Sequence, residues 1–227
     1  MASPPGDSVD LGKIQAVLFD MDGTLVESDA AVERAWTRWA EEYDVDRGSV
    51  LAIAHGVPAI QTVRRIRADL DAEAVAAAVV RQHELQYDDL ADVVPAKGAA
   101  ELLAALARLD IPWAVVTSAD TRLAKARLGA ANFEPPVLIT VDDISRGKPD
   151  PEGYLLAAAR LGVDVSECLV VEDAAPGIAA GRAAGALVAG LKGLASDLTI
   201  EDLAQLVGPL TTAAARPTDP NSPADSP

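Results

Sequence analysis

Apolar residues in the first half of the chain recur with a helical period. Val32, Trp36, Trp39 and Tyr43 follow i, i+4, i+7, i+11 spacing, which predicts an amphipathic helix with its stripe in a core. Ile60, Val63 and Ile66 predict another helix, and Val75, Val79, His83 and Leu90 a further one. No strand-like run appears between residues 27 and 93. Beyond Pro95 the pattern changes to alternation. "GAAELLAALARL" precedes the apolar run "PWAVVT", "TRLAKARLGA" precedes "PVLIT", "PEGYLLAAARLG" precedes "CLVVE", and "PGIAAGRAAG" precedes "ALVAG". Helix and short apolar strand in turn predict a parallel sheet covered on both faces.

One more strand precedes the helical half. Ala16 to Phe19 is a short apolar run closed by an Asp-Gly turn signal, so it reads as a buried parallel strand. The fold class is therefore α/β: a doubly wound, Rossmann-like parallel-sheet core over 14–26 and 96–210, opened after its first strand by a small α-helical cap over 27–95. A cap inserted there overhangs the carboxyl edge of the first strand and is placed to act as a lid. Residues 1–13 and 211–227 are rich in Pro, Ser, Ala and Asp without a core pattern, which predicts two mobile tails.

Composition narrows the function classes. With 19 basic and 35 acidic residues the formal charge is −16, which argues against nucleic acid or an anionic membrane as partner. No run of eighteen apolar residues and no signal-peptide pattern appears, so a soluble protein with the cytosol as default compartment is expected. Cys168, alone of its kind and inside "CLVV", reads as a small buried hydrophobe.

Chemistry-bearing residues then fall at strand ends. Asp20 and Asp22 follow the first strand, and two carboxylates so close repel unless a cation or a shared proton lies between them. Thr117 and Ser118 end "AVVTS" ahead of a helix, where hydroxyls suit phosphate oxygens or a simple N-cap, as Asp120 also would. Lys148 stands in a loop before Pro149, and Glu172 and Asp173 end "CLVVE" ahead of Pro176. Carboxylates, hydroxyls and a lysine on one sheet edge make a set that would hold Mg²⁺ and neutralise a phosphoryl group.

With "DMDGT" at 20–24, Thr117-Ser118, Lys148 and "EDAAPG" at 172–177 in that order, the chain resembles the haloacid dehalogenase-like phosphatases from about Ala16 to Gly208. "VERAWTRWA", "HGVPAI", "IPWAVVTS" and "RGKPDPEGYLL" are similar to the helical-cap subgroup of sugar and polyol phosphatases, which includes 2-deoxyglucose-6-phosphate, hexitol phosphate and glycerol-3-phosphate phosphatases. The resemblance implies a Mg²⁺-dependent phosphomonoester hydrolase acting on a small phosphorylated metabolite. It makes Asp20 the nucleophile that forms an aspartyl-phosphate and Asp22 the general acid and base. It gives Mg²⁺ the Asp20 and Asp173 carboxylates and the Asp22 carbonyl, with Glu172 and Thr24 around them. Thr117, Ser118 and Lys148 would bind phosphoryl oxygens. The cap would set specificity through His55, Gly56, Gln61 and Arg64. Gly177, Gly181 and Gly185 are expected to let their segment approach the sheet.

Rival readings remain. A β-phosphoglucomutase-like reaction shares the core motifs, and Arg64, Arg65 and Arg67 offer charge for a second phosphate, or simply a solvated face. Against it, "LVESDAAVERAW" holds no histidine and the insert no lysine. A non-catalytic binding or regulatory module on the same fold is the alternative of another class. The sequence sets no oligomeric state, and a monomer is compatible with it.

Overall fold

The computed structural model describes residues 10–54, 57–87 and 89–215. Strand β1 (Ala16–Phe19) is buried at all four positions, as its unbroken apolar run requires. Val17 and Phe19 face one layer of the core, Ala16 and Leu18 the other.

After β1 the chain leaves the sheet and returns through a short antiparallel ladder, β2 (Val26–Glu27) against β3 (Val94–Pro95). Between these strands lie helices α1 (Asp29–Glu42), α2 (Arg47–Ala54), α3 (Ala59–Ile66) and α4 (Ala72–Tyr87). Their shared core holds Trp36, Trp39, Val50, Val63, Val75 and Ala78. Trp39 is fully buried, stacks on Tyr43 with ring centroids 4.5 Å apart, and donates its indole N–H to the Ala78 carbonyl at 2.9 Å. Truncating it to Ala would cost roughly 3–5 kcal/mol, because an emptied aromatic site collapses poorly. Leu90 lies beyond the end of α4 rather than on its stripe, and packs instead against the core of the sheet.

The remaining chain alternates as its pattern predicts. In order come α5 (Ala99–Arg108), β4 (Trp113–Val116), α6 (Thr121–Ala130), β5 (Val137–Ile139), α7 (Glu152–Leu161), β6 (Cys168–Glu172), α8 (Ala175–Ala184), β7 (Leu187–Gly190), β8 (Leu198–Thr199) and α9 (Val207–Ala214). The six-stranded sheet runs β5-β4-β1-β6-β7-β8, and all its pairs are parallel. Leu102, Leu106, Leu123, Leu128 and Leu210 cover one face; Tyr154, Ala157, Ile178 and Ala180 cover the other. Strand order turns outward in both directions from β1, so the connections part at its carboxyl end and leave a crevice there.

Order extends past both expected core boundaries. Leu11 is buried in a 3₁₀ turn (Leu11–Lys13), and α9 carries residues 211–214 as well as the buried Leu210. These two segments pack together, each with too few apolar positions to show a period.

Candidate active site

Asp20 is the first residue past β1, and its N–H still follows the ladder, donating to the Val171 carbonyl at 3.0 Å. Its buried carboxylate accepts a short hydrogen bond from the ammonium of Lys148. Lys148 also donates to Glu172 Oε1 at 2.7 Å and to the Val116 carbonyl at 3.0 Å, which uses all three of its protons. Glu172 ends β6, accepts from the Tyr154 hydroxyl at 2.9 Å through Oε1, and from the N–H groups of Asp173 and Ala174 at 3.1 Å through Oε2.

Asp173 faces Lys192 at 2.8 Å, and Lys192 reaches on to Asp29 of α1 at 2.7 Å. Asp20, Glu172 and Asp173 each bring an oxygen within 4.8 Å of one another. Three carboxylates thus face two ammonium groups. Burial pushes Asp20 well above the usual carboxylate range; Lys148 opposes this, while Glu172 and Asp173 add to it. Burial likewise raises Asp173 against the pull of Lys192. Burial disfavours the charge on Lys148, but Asp20 and Glu172 outweigh it and hold the ammonium protonated.

A close approach fixes one glycine. A Cβ on Gly177 would stand 1.6 Å from Glu172 Oε1, so only glycine lets α8 begin beside that carboxylate. A Cβ on Gly181 would meet Val170 and Val188 at 3.0 Å, again a near approach to the sheet. Gly185 corrects the sequence reading: space around it is open, and its φ of +90° ends α8 in the left-handed region instead.

Asp22 turns away from this cluster. Its Oδ1 accepts from Ser28 Oγ at 2.6 Å and from Arg127 Nη1 at 2.7 Å. Thr24 is fully buried and its hydroxyl has no partner among the described residues. Thr117 is buried at the end of β4 and its hydroxyl accepts from the Ala119 N–H at 3.1 Å. Asp120, not Ser118, caps α6, accepting from the Leu123 N–H at 2.8 Å.

A cleft opens over the carboxyl edge of the sheet. From the core it is lined by Asp20, Asp22, Thr117, Ser118, Arg127 and Asp173, and from the cap by Trp36, Gln82, His83 and Gln86 among others. Gln61 and Arg64 are not in it: both are exposed on α3, whose buried positions are Thr62 and Val63. Arg65 and Arg67 do not line it either, and Arg67 pairs with Asp69 at 2.7 Å. His55 and Gly56 lie outside the described residues. Trp36 belongs to the cap core, as its spacing predicts, and also lines the cleft. Sequence reasoning missed Arg127, Tyr154, Lys192, Gln82 and Gln86. Each is a single polar residue in an ordinary helical or loop context, with no local signal to mark it.

A parallel α/β sheet with buried acidic and basic groups at its switch point, roofed by an inserted helical cap, defines an enzyme of the capped hydrolase class. Over residues 14–185 the chain matches the model of the haloacid dehalogenase-like hydrolases, and it belongs to that family. It is similar to hexitol phosphatase A of Escherichia coli, 41% identical over 174 residues that span 76% of this chain and 81% of that protein. It is also similar to validoxylamine A 7'-phosphate phosphatase of Streptomyces hygroscopicus subsp. limoneus, 37% identical over 209 residues, 86% of this chain and 97% of that one. The crystal structure of a β-phosphoglucomutase from Clostridium difficile superposes with a TM-score of 0.79 over 88% of this chain and 97% of its own. At 19% identity it shares the fold. By family the chain is a hydrolase, and the two relatives named here are phosphatases. No helix among the described residues is long and apolar enough to cross a membrane.

Proposed function

We propose that the protein hydrolyses the phosphomonoester of a small sugar or polyol phosphate through an aspartyl-phosphate at Asp20, with Mg²⁺ as cofactor. The observation that carries this reading is the buried contact of Asp20 with Lys148 beside Glu172 and Asp173. Lys148 offsets the negative charge that an anionic substrate brings against an anionic nucleophile. Glu172 holds Lys148 in place and is itself fastened by the Tyr154 hydroxyl and two backbone N–H groups. Thr117 and Ser118 offer hydroxyls to the phosphoryl oxygens at the same edge.

The donor set suits the metal. Both oxygens of Glu172 are already engaged, which makes the Asp20 and Asp173 carboxylates the hard oxygen ligands of the cluster, and the family resemblance adds the Asp22 carbonyl. Bound there, Mg²⁺ would supply the positive charge that three clustered carboxylates lack. Asp22 moves the protons: one to the leaving oxygen, then one from the water that releases phosphate. Names of relatives support the substrate class, since the two similar phosphatases described above are named for a hexitol and for validoxylamine A 7'-phosphate.

Phosphate release measured over a panel of sugar, polyol and aryl phosphates, with and without EDTA, tests the reading. Turnover that requires a divalent cation and prefers a polyol or sugar ester is expected. Turnover that ignores the chelator removes the metal, and a protein idle on every ester removes the catalytic reading in favour of a binding module.

A further inference from the structure

Deep in the cleft a chain of three side chains runs from core to cap. Arg127 of α6, buried at 2% exposure, donates through Nη1 to Asp22 and through Nη2 to Gln86 Oε1, both at 2.7 Å. Gln86 of α4 donates through Nε2 to the Oε1 of Gln82, one turn earlier, at 2.6 Å. Gln82 is fully buried, lines the cleft, and its Nε2 has no hydrogen-bond partner among the described residues.

The direction of this chain is dictated by its first member. A guanidinium only donates, so Gln86 must turn its oxygen to Arg127 and its NH₂ to Gln82. Gln82 must then accept with its oxygen, and its own NH₂ is left over. Flipping either amide would set donor against donor, so the assignment does not rest on the ambiguity usual for Gln. A buried N–H₂ without an acceptor is costly, and a ligand oxygen in the cleft relieves it.

Charge limits what that ligand can be. Among the described residues lining the cleft, Arg127 and His83 are the basic ones, and each already faces a carboxylate: Asp22 at 2.7 Å and Asp120 at 3.1 Å. Beyond the phosphoryl site, the spare donors of these residues are the Gln82 amide and the Arg127 Nε–H, and the Arg127 charge is already countered by Asp22. Val32, Trp36 and Val57 add apolar surface.

We propose that Gln82, oriented by Gln86 and Arg127, is a specificity-determining residue that donates to a neutral oxygen of the leaving group. It thereby selects uncharged polyhydroxylated alcohols over anionic ones. This rests on the phosphatase reading and deepens it by naming what the cap asks of the substrate. Arg127 and Gln86 act as positioning residues, setting which end of the Gln82 amide is presented.

The full chain is assayed on sorbitol 6-phosphate, 2-phosphoglycolate and p-nitrophenyl phosphate, as wild type, Gln82→Leu and Gln82→Met. The quantity read is the ratio of kcat/KM for sorbitol 6-phosphate to that for p-nitrophenyl phosphate. Removing the donor is expected to lower that ratio about tenfold, the effect of one lost hydrogen bond to a neutral partner. Gln86→Leu, which frees the Gln82 amide to flip, should lower it in the same direction. Wild type should also prefer sorbitol 6-phosphate to 2-phosphoglycolate. A ratio within twofold of wild type in both Gln82 variants overturns the inference while leaving the phosphatase reading intact, as does equal wild-type use of the two alkyl esters. Wild type that releases phosphate from none of the three esters overturns the functional reading, and this inference with it. Gln82→Met keeps the chain length and serves where Gln82→Leu fails to fold.

Discussion

Arg127 and Asp22 stand 105 positions apart in sequence and meet in the cleft at 2.7 Å. The guanidinium is buried whereas the carboxylate is about a quarter exposed, so the pair sits at the wet edge of a dry network. It ties the residue proposed to move protons to Gln86 of the cap, and so links the chemistry to the element that covers it.

Replacing Arg127 with Met leaves Asp22 with Ser28 alone and the Gln86 oxygen without its donor. A loss of about 1–3 kcal/mol is expected, seen as a drop of several degrees in Tm. Because Asp22 then loses one of the two contacts that hold it, alkyl phosphates, which need a proton on the leaving oxygen, should lose more rate than activated aryl phosphates. Equal losses on both ester types, with Tm unchanged, would separate Arg127 from Asp22.

Much of this arrangement was legible in the sequence, and the reasons are local. Four apolar residues before Asp20 mark a buried strand, and helix-strand alternation after Pro95 marks the sheet, so the edge that gathers Asp20, Thr117, Lys148 and Glu172 follows from connectivity. The contacts of Glu172 with Lys148 and with Tyr154 are long-range and leave no trace in spacing. Gln61 and Arg64 follow "HG" in sequence, but α3 turns Thr62 and Val63 inward and leaves both exposed. Nothing in the sequence of α4 marks Gln82 and Gln86; burial against α6 makes them part of the cleft. Strand β8, two residues long, and helix α9 are too short for a period to reveal.

Gly177→Ala probes the packing behind Lys148. The new methyl would overlap Glu172 Oε1, so either α8 or the carboxylate must move. Overpacking of this kind costs about 1–3 kcal/mol, and a displaced Glu172 releases Lys148 as well. Both Tm and kcat should fall. A variant with wild-type Tm and turnover would show that Glu172 tolerates displacement and does not fix the lysine.

His83 gives the protein a pH-dependent element. Burial lowers its pKa, with Asp120 and Asp142 opposing the shift. The folded state therefore binds fewer protons here than the unfolded chain, whose histidine titrates near about 6.5. Stability from this site is full above that pH and declines as pH falls through the window down to the depressed folded value. Tm measured from pH 7.5 to 5 should fall less steeply in His83→Gln than in wild type. Parallel curves would mean that His83 titrates alike in both states.

Mass spectrometry of the acid-quenched enzyme during turnover addresses the central claim most directly. With Mg²⁺ and an excess of sorbitol 6-phosphate, a phosphoryl group is predicted on the peptide carrying Asp20, absent when substrate is omitted. Asp20→Asn should lose both the adduct and turnover, because an amide cannot serve as the attacking group. A phosphoryl group on another residue, or undiminished turnover by Asp20→Asn, would contradict the assignment of Asp20 as nucleophile.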